Sequence, residues 1–166
     1  MTVCFIGHRT IDKTKRLISE LKEIIISLIN KGATTFLFGS MSEFNDLCWE
    51  VVTKLKETYP FIKRVYVRSV YPNIDKSYED YLLKLYEATY FPAKLEKAGK
   101  SSYVERNLEM IDKSTYCVFY YNKNYMPSPQ KPSKRNTLLP KRRKSGTKIS
   151  YEYAAKKKKE SINLYK

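Results

Sequence analysis

The stretch Thr2-Val3-Cys4-Phe5-Ile6-Gly7-His8-Arg9 limits the possible folds more than any other part of the chain. Its four consecutive apolar residues suit a strand covered on both faces, as in a parallel sheet. Gly7 lets the backbone turn sharply or approach a ligand closely. His8 and Arg9 then stand at the carboxyl end of the strand, where open α/β sheets place their ligand crevices. The plainer alternative makes Gly7 a turn and Arg9 a solvated charge. The same order of apolar strand, glycine and polar turn returns in Thr34-Thr35-Phe36-Leu37-Phe38 and Gly39-Ser40-Met41-Ser42-Glu43-Phe44-Asn45-Asp46.

Between these stretches, Leu17, Leu21, Ile24, Ile25 and Leu28 recur at three- and four-residue spacing, which predicts an amphipathic helix over 11–30 with Gly32 as its C-cap signal. A second helix is predicted over 44–59, closed by Pro60. Residues 62–70 predict a third strand. A tyrosine-rich helix follows over 75–90, with Ser77-x-x-Asp80 as a capping box. After irregular chain over 91–102, a helix over 103–112 leads into a fourth strand at 115–121. The segment 122–144 holds Pro127, Pro129, Pro132 and Pro140 and predicts no regular structure. Ser145-Gly146-Thr147 opens a final helix over 148–159, and 161–165 reads as the last strand.

Strands alternating with helices predict an α/β fold: a three-layer Rossmann-like sandwich with a mostly parallel sheet of about five strands. A chain of 166 residues, with no internal repeat and no linker, reads as a single domain over 1–166 with a basic insert at about 122–144. Right-handed crossovers then gather the turns at 7–9, 39–46 and 145–147 on one edge of the sheet.

The net charge of +15 raises nucleic acid as a partner. The distribution weakens that reading. Lys123, Lys131, Lys134, Arg135, Lys141, Arg142, Arg143 and Lys144 all fall in the insert, which has no acid, and Lys156 to Lys159 form a second run. The rest of the chain is close to balanced. Cys4, Cys48 and Cys117 sit in apolar settings without a CxxC pair and read as reduced core residues of a cytoplasmic protein. No signal peptide and no membrane span are expected. His8 is the single histidine, so no metal site is expected, and no cofactor either. Apolar helix faces on a small α/β domain would allow a homo-oligomer.

Candidate chemistry collects at the strand ends. Ser145-Gly146-Thr147 offers hydroxyls and free N–H groups at a helix N-terminus, which suits a phosphate. Gly39-Ser40 offers the same on a smaller scale. As isolated motifs these are helix caps; their convergence is what points to a ligand. Asp46 is a candidate for ribose hydroxyls, or a helix cap. Arg106 is a candidate for a phosphate, or for an ion pair with Glu105 or Glu109. Glu152 is a candidate catalytic carboxylate, or a solvated helix charge. The insert is either a solvated loop or a lid over an anionic ligand.

The turn Gly7-His8-Arg9 resembles the "TGHR" opening of a family of small bacterial and phage Rossmann-like proteins in the SLOG superfamily. That superfamily joins the "lonely guy" phosphoribohydrolases to the DNA-processing protein A domain. The resemblance continues through Phe36-Leu37-Phe38-Gly39-Ser40-Met41-Ser42-Glu43-Phe44 and Leu55-Lys56-Glu57-Thr58-Tyr59-Pro60. It resumes at Glu105-Arg106-Asn107-Leu108-Glu109-Met110-Ile111-Asp112-Lys113-Ser114 and ends at Ser145-Gly146-Thr147 with Tyr151-Glu152-Tyr153-Ala154. It implies a nucleotide-type ligand held by Gly7, His8, Arg9, Gly39, Ser40, Asn45, Asp46, Arg106, Ser145, Gly146 and Thr147. In the phosphoribohydrolase branch it further implies N-glycosidic cleavage by an arginine and a glutamate, whose places fall on Arg106 and Glu152. The pattern departs at Ser145, which replaces a glycine, and at 148–150, where Lys148-Ile149-Ser150 delays the first acid to Glu152. Asn45 stands where relatives carry an acid, with Asp46 next.

Three functions follow as expectations. The first is a binding protein for a nucleotide or an NAD- or ADP-ribose-derived small molecule, acting as sensor or sponge. The second is a nucleotide N-glycosidase of the phosphoribohydrolase type, with Arg106 and Glu152 or Asp46 in catalysis. The third is a single-stranded nucleic-acid binder that uses the insert, with Tyr120, Tyr121 and Tyr125 as stacking platforms.

Overall fold

The computed structural model describes residues 1–39, 41–126 and 144–166. The elements are β1 (Thr2–Gly7), α1 (Lys15–Asn30), β2 (Thr35–Phe38), α2 (Glu43–Leu55), β3 (Lys63–Val67), α3 (Lys76–Leu85), β4 (Ala88–Tyr90), α4 (Ser102–Lys113), β5 (Tyr116–Tyr120), α5 (Gly146–Lys156) and β6 (Glu160–Asn163). The strands form one sheet in the order β4-β3-β2-β1-β5-β6, and every pairing is parallel. This is a three-layer Rossmann-like sandwich. The sheet has six strands rather than about five. The extra one is β4, in a stretch whose tyrosine-rich sequence reads as the end of a helix.

β1 feeds both layers. Val3 and Phe5 face a core shared with Leu21, Ile25 and Leu28 of α1 and Phe44, Leu47 and Val52 of α2. Cys4 and Ile6 face a second core with Met110 and Ile111 of α4 and Ala154 of α5. β5 alternates likewise, with Val118 on the first side and Cys117 and Phe119 on the second. α3 joins the first layer through Trp49 of α2, whose indole N–H donates to the Leu85 carbonyl at 3.3 Å. Full burial of one such apolar side chain contributes about 1.5–3 kcal/mol, so β1 cannot leave the centre without dissolving both cores.

Local signals set the helix ends. Thr14 caps α1, its hydroxyl accepting from the Leu17 N–H at 3.1 Å. At the other end Gly32 takes φ +96°, its N–H donates to Ile29 and the Ala33 N–H to Leu28. That paired pattern is a Schellman motif, which a residue with a Cβ resists. α2 stops at Leu55, one turn before Pro60. α3 is capped by Asp75, not by a box on Ser77: the Asp75 carboxylate accepts from the Tyr78 N–H at 2.8 Å and from the Ser77 hydroxyl at 2.7 Å. A carboxylate at the N-cap serves both donors, which leaves Ser77 nothing to cap. The expected irregular chain before α4 contains two short 3-10 turns, Ala93–Lys97 and Gly99–Ser101. Of the basic insert, 127–143 lies outside the described residues.

Gly7 is the tightest point of the central strand. A Cβ built there falls 2.6 Å from the Phe44 Cβ, which belongs to the first turn of α2. Overpacking of this kind costs about 1–3 kcal/mol. Gly7→Ala is therefore expected to lower the melting temperature by about 2–12 °C in a thermal melt, at about 2–4 °C per kcal/mol for a chain of this size. A melt unchanged within 1 °C would show that α2 is not wedged against β1.

Candidate functional site

The first turn of α2 closes onto the ends of β1 and β2. Ser42 is its N-cap, accepting from the Asn45 N–H at 3.2 Å. The Glu43 N–H donates to the Arg9 carbonyl at 2.9 Å, and the Glu43 carboxylate accepts from the Ile11 N–H at 2.9 Å. Asn45 is buried; its side-chain oxygen accepts from the Gly39 N–H at 3.1 Å and its amide donates to the Phe5 carbonyl at 3.4 Å. The turns after β1 and β2 thus meet, and Asn45 is the tie. Ser40 lies outside the described residues.

α5 joins the same edge. The Thr147 hydroxyl donates to the Gly7 carbonyl at 2.9 Å. Ser145 is the N-cap, accepting from the Lys148 N–H at 3.1 Å. The N–H groups of Gly146 and Thr147 meet no acceptor among the described residues, so this end keeps two donors for an anion. The strand order reverses between β1 and β5, and that switch point is where open α/β sheets form their crevice.

His8 stands at the switch point and is 2% exposed. Its Nε2 accepts the Asn122 N–H at 2.9 Å, and the Asn122 carbonyl lies 3.2 Å from the same nitrogen. The Tyr125 ring stacks on the imidazole, centroids 3.9 Å apart and planes 13° from parallel. Burial pulls the imidazole below its usual range, and the Asn122 carbonyl works weakly against it. The neutral ring that accepts at Nε2 carries its proton on Nδ1. That atom is buried with no partner among the described residues.

Arg106 is 1% exposed, one of the largest fully buried side chains among the described residues. It forms no ion pair with Glu105 or Glu109; Glu109 pairs with Lys94 at 2.7 Å and Lys113 at 3.1 Å. The guanidinium instead donates to the Gly39 and Val67 carbonyls and to the Asn107 side chain. It therefore crosses under the ends of β2 and β3. Desolvation without a carboxylate pulls it down to about 10. A Cβ on Gly39 would fall 2.8 Å from the Arg106 Cδ, so that glycine exists partly to admit the arginine.

On the α2–α3 side of this edge lies a cleft of about 490 Å³. Its walls include Arg9, Glu43, Asp46, Tyr66, Tyr78, Tyr81 and Tyr86. Tyr66 and Tyr86 lie 5.2 Å apart, Tyr78 and Tyr81 6.3 Å apart and nearly parallel. The Asp46 N–H donates to the Ser42 carbonyl at 3.0 Å, while its carboxylate makes no hydrogen bond or ion pair among the described residues. Burial, then the carboxylates of Glu50 and Glu43, push its carboxyl up. Lys13 pairs with Glu50 at 3.0 Å and only partly offsets them.

Of the expected site residues, Gly7, His8, Arg9, Gly39, Asn45, Asp46, Arg106, Ser145, Gly146 and Thr147 share this edge. Glu152 is exposed on α5 and pairs with Lys144 at 2.7 Å. The four tyrosines of the cleft were not singled out by sequence reasoning. Their signal is the spacing of Tyr78 and Tyr81 on one helical face, with Tyr86 beyond. Among the described residues no group of three or more His, Cys, Asp or Glu could hold a metal ion. Comparison of the chain with protein-family models gives no match, and no curated protein matches it either.

The His8 environment has a pH consequence. Its folded-state pKa is depressed, so between that value and about 6.5 the unfolded chain binds more protons. Stability is therefore lost as pH falls from about 7 through this window. With one histidine in the chain, a single imidazole resonance is followed by NMR. Its midpoint is expected below 6.5, and His8→Gln should flatten the melting temperature between pH 7 and 5.5 relative to wild type. A midpoint at or above 6.5 would contradict the buried, neutral ring.

Proposed function

We propose that this chain binds a nucleotide or an NAD- or ADP-ribose-derived small molecule in the crevice at the C-terminal edge of its sheet, as a sensor or sponge of that ligand. The observation that carries the reading is the tyrosine-walled cleft of about 490 Å³ at that edge, with Arg9 and the unpaired Asp46 in its walls. Flat aromatic rings suit a base or other planar ring. Asp46 is an acceptor for ribose hydroxyls. Arg9 and the two open N–H groups of α5 suit phosphates. Arg9 lines the cleft and lies two residues beyond Gly7, which α5 grips through Thr147.

The cleavage alternative asks Arg106 to act with Glu152 or Asp46. Arg106 is spent on carbonyls beneath the Gly39 turn, while Glu152 is exposed and bound to Lys144. An oxocarbenium-like transition state needs a carboxylate held against it. This arrangement favours binding over turnover. The described residues contain no helix long and apolar enough to cross a membrane, and Cys4, Cys48 and Cys117 are buried free thiols. Free buried thiols suit a reducing, cytoplasmic setting.

The test is a thermal-shift panel at low salt with AMP, ADP-ribose, cyclic ADP-ribose variants, NAD and a short oligonucleotide, with each end mixture analysed for free base. A ligand at about 100-fold its Kd adds about 2.7 kcal/mol, or about 5–11 °C here. A shift with intact ligand is expected. Released base would make the protein an N-glycosidase. A response to the oligonucleotide alone would move the function to the basic insert.

Glu152→Gln separates the first two readings. It is expected to leave both the ligand shift and the melting temperature within 1 °C of wild type. Base release in wild type that disappears in this variant would overturn the binding reading.

A further inference from the structure

The chain carries +15, yet the cleft does not share that sign. Its charged walls among the described residues are Glu43 and Asp46 against Arg9. Glu43, Asp46 and Glu50 follow one another at three and four residues along α2, so they form one acidic stripe. Two members are already answered. The Glu43 carboxylate takes the Ile11 N–H, and Glu50 takes the Lys13 ammonium. The Asp46 carboxylate is the member left without a partner among the described residues, and it lines the cleft together with four tyrosines.

A purely anionic ligand finds little in such a chamber. A carboxylate beside π faces is the arrangement that attracts a flat cation, because the ring quadrupole and the acid act in the same sense. Resting on the reading of this crevice as a nucleotide site, we infer that the cleft between α2 and α3 selects a nucleotide whose ring is an N-ribosylated pyridinium. The ring charge would lie against Asp46 among Tyr66, Tyr78, Tyr81 and Tyr86, with the phosphate directed to Arg9. This separates an oxidised nicotinamide nucleotide from its reduced form and from adenine nucleotides, whose rings are uncharged. It also separates ring recognition from ribose recognition, since the oxidised and reduced forms carry the same ribose.

The experiment is isothermal titration of the full chain with nicotinamide mononucleotide and with its reduced form, at low salt and pH 7.5. The oxidised form is expected to bind at least tenfold more tightly, about 1.4 kcal/mol. Asp46→Asn keeps the side-chain shape and relieves the repulsion from Glu43 and Glu50, so it should fold. In it the ratio is expected to drop below threefold, any lost ribose contact being common to both forms. If that variant melts out, Tyr78→Leu takes its place: it removes a partly exposed ring and should likewise narrow the ratio. Equal affinities in wild type, or a ratio that survives both substitutions, overturn the inference and leave the nucleotide reading standing. Binding of AMP or ADP-ribose with neither nicotinamide form does the same. Failure of every nucleotide overturns both.

Discussion

β1 is buried on two faces at once, and the rest of the structure depends on that. Its side chains alternate between the α1–α2 core and the α4–α5 core, so one strand of six residues holds three layers together. The consequence at its end is geometric. Both layers must converge where β1 stops, and there α2 presses Phe44 against Gly7 while α5 bonds the Gly7 carbonyl through Thr147. The glycine reads as a ligand contact in the sequence. Its first duty is to let two helix starts approach the same strand end.

Several polar residues of the edge have similar double standing. Asn45 and Thr147 have the chemistry of ligand contacts, yet each spends a hydrogen bond on backbone of the neighbouring turn. Arg106 goes furthest. A buried guanidinium without a carboxylate would be costly if its donors were unmet, and the Gly39 and Val67 carbonyls meet them only in part at neutral charge. The result fixes the turn after β2 against the end of β3. The crevice is thereby preorganised by groups that need not touch its occupant. The set that the scaffold leaves unspent is smaller: Arg9, the Asp46 carboxylate, the tyrosines and the two N–H groups of α5.

The layers and the alternation of strands with helices were legible because apolar runs, glycines and helical periodicity recur on a regular plan. β4 was not. Ala88, Thr89 and Tyr90 are too few to show a period, and the tyrosines before them continue a helical spacing. The cap of α3 was misplaced for a related reason: Asp75 and Ser77 both suit an N-cap, and only the backbone decides which one reaches Tyr78. Arg106 was visible as a residue of interest, but both sequence readings paired it with an anion, and its carbonyl partners come from strands 39 and 67 positions away. The cleft was least legible. It is made by two helices and a turn whose facing sides depend on the crossover, so no local spacing reveals that Asp46 and Tyr66 share a wall.

Charge then separates approach from selection. A strongly basic chain draws anionic ligands from a distance and raises their arrival rate, whatever their rings carry. That field acts on phosphates and falls off with salt. Among the described residues that line the cleft, two carboxylates stand against one guanidinium, and a charge nearby counts for more than lysines at a distance. A molecule that satisfies both needs negative charge at one end and a flat, electron-poor ring at the other. On the proposed reading, ligands with only the first property are gathered at the surface without being held, and Arg9, Asp46 and the four tyrosines supply that difference.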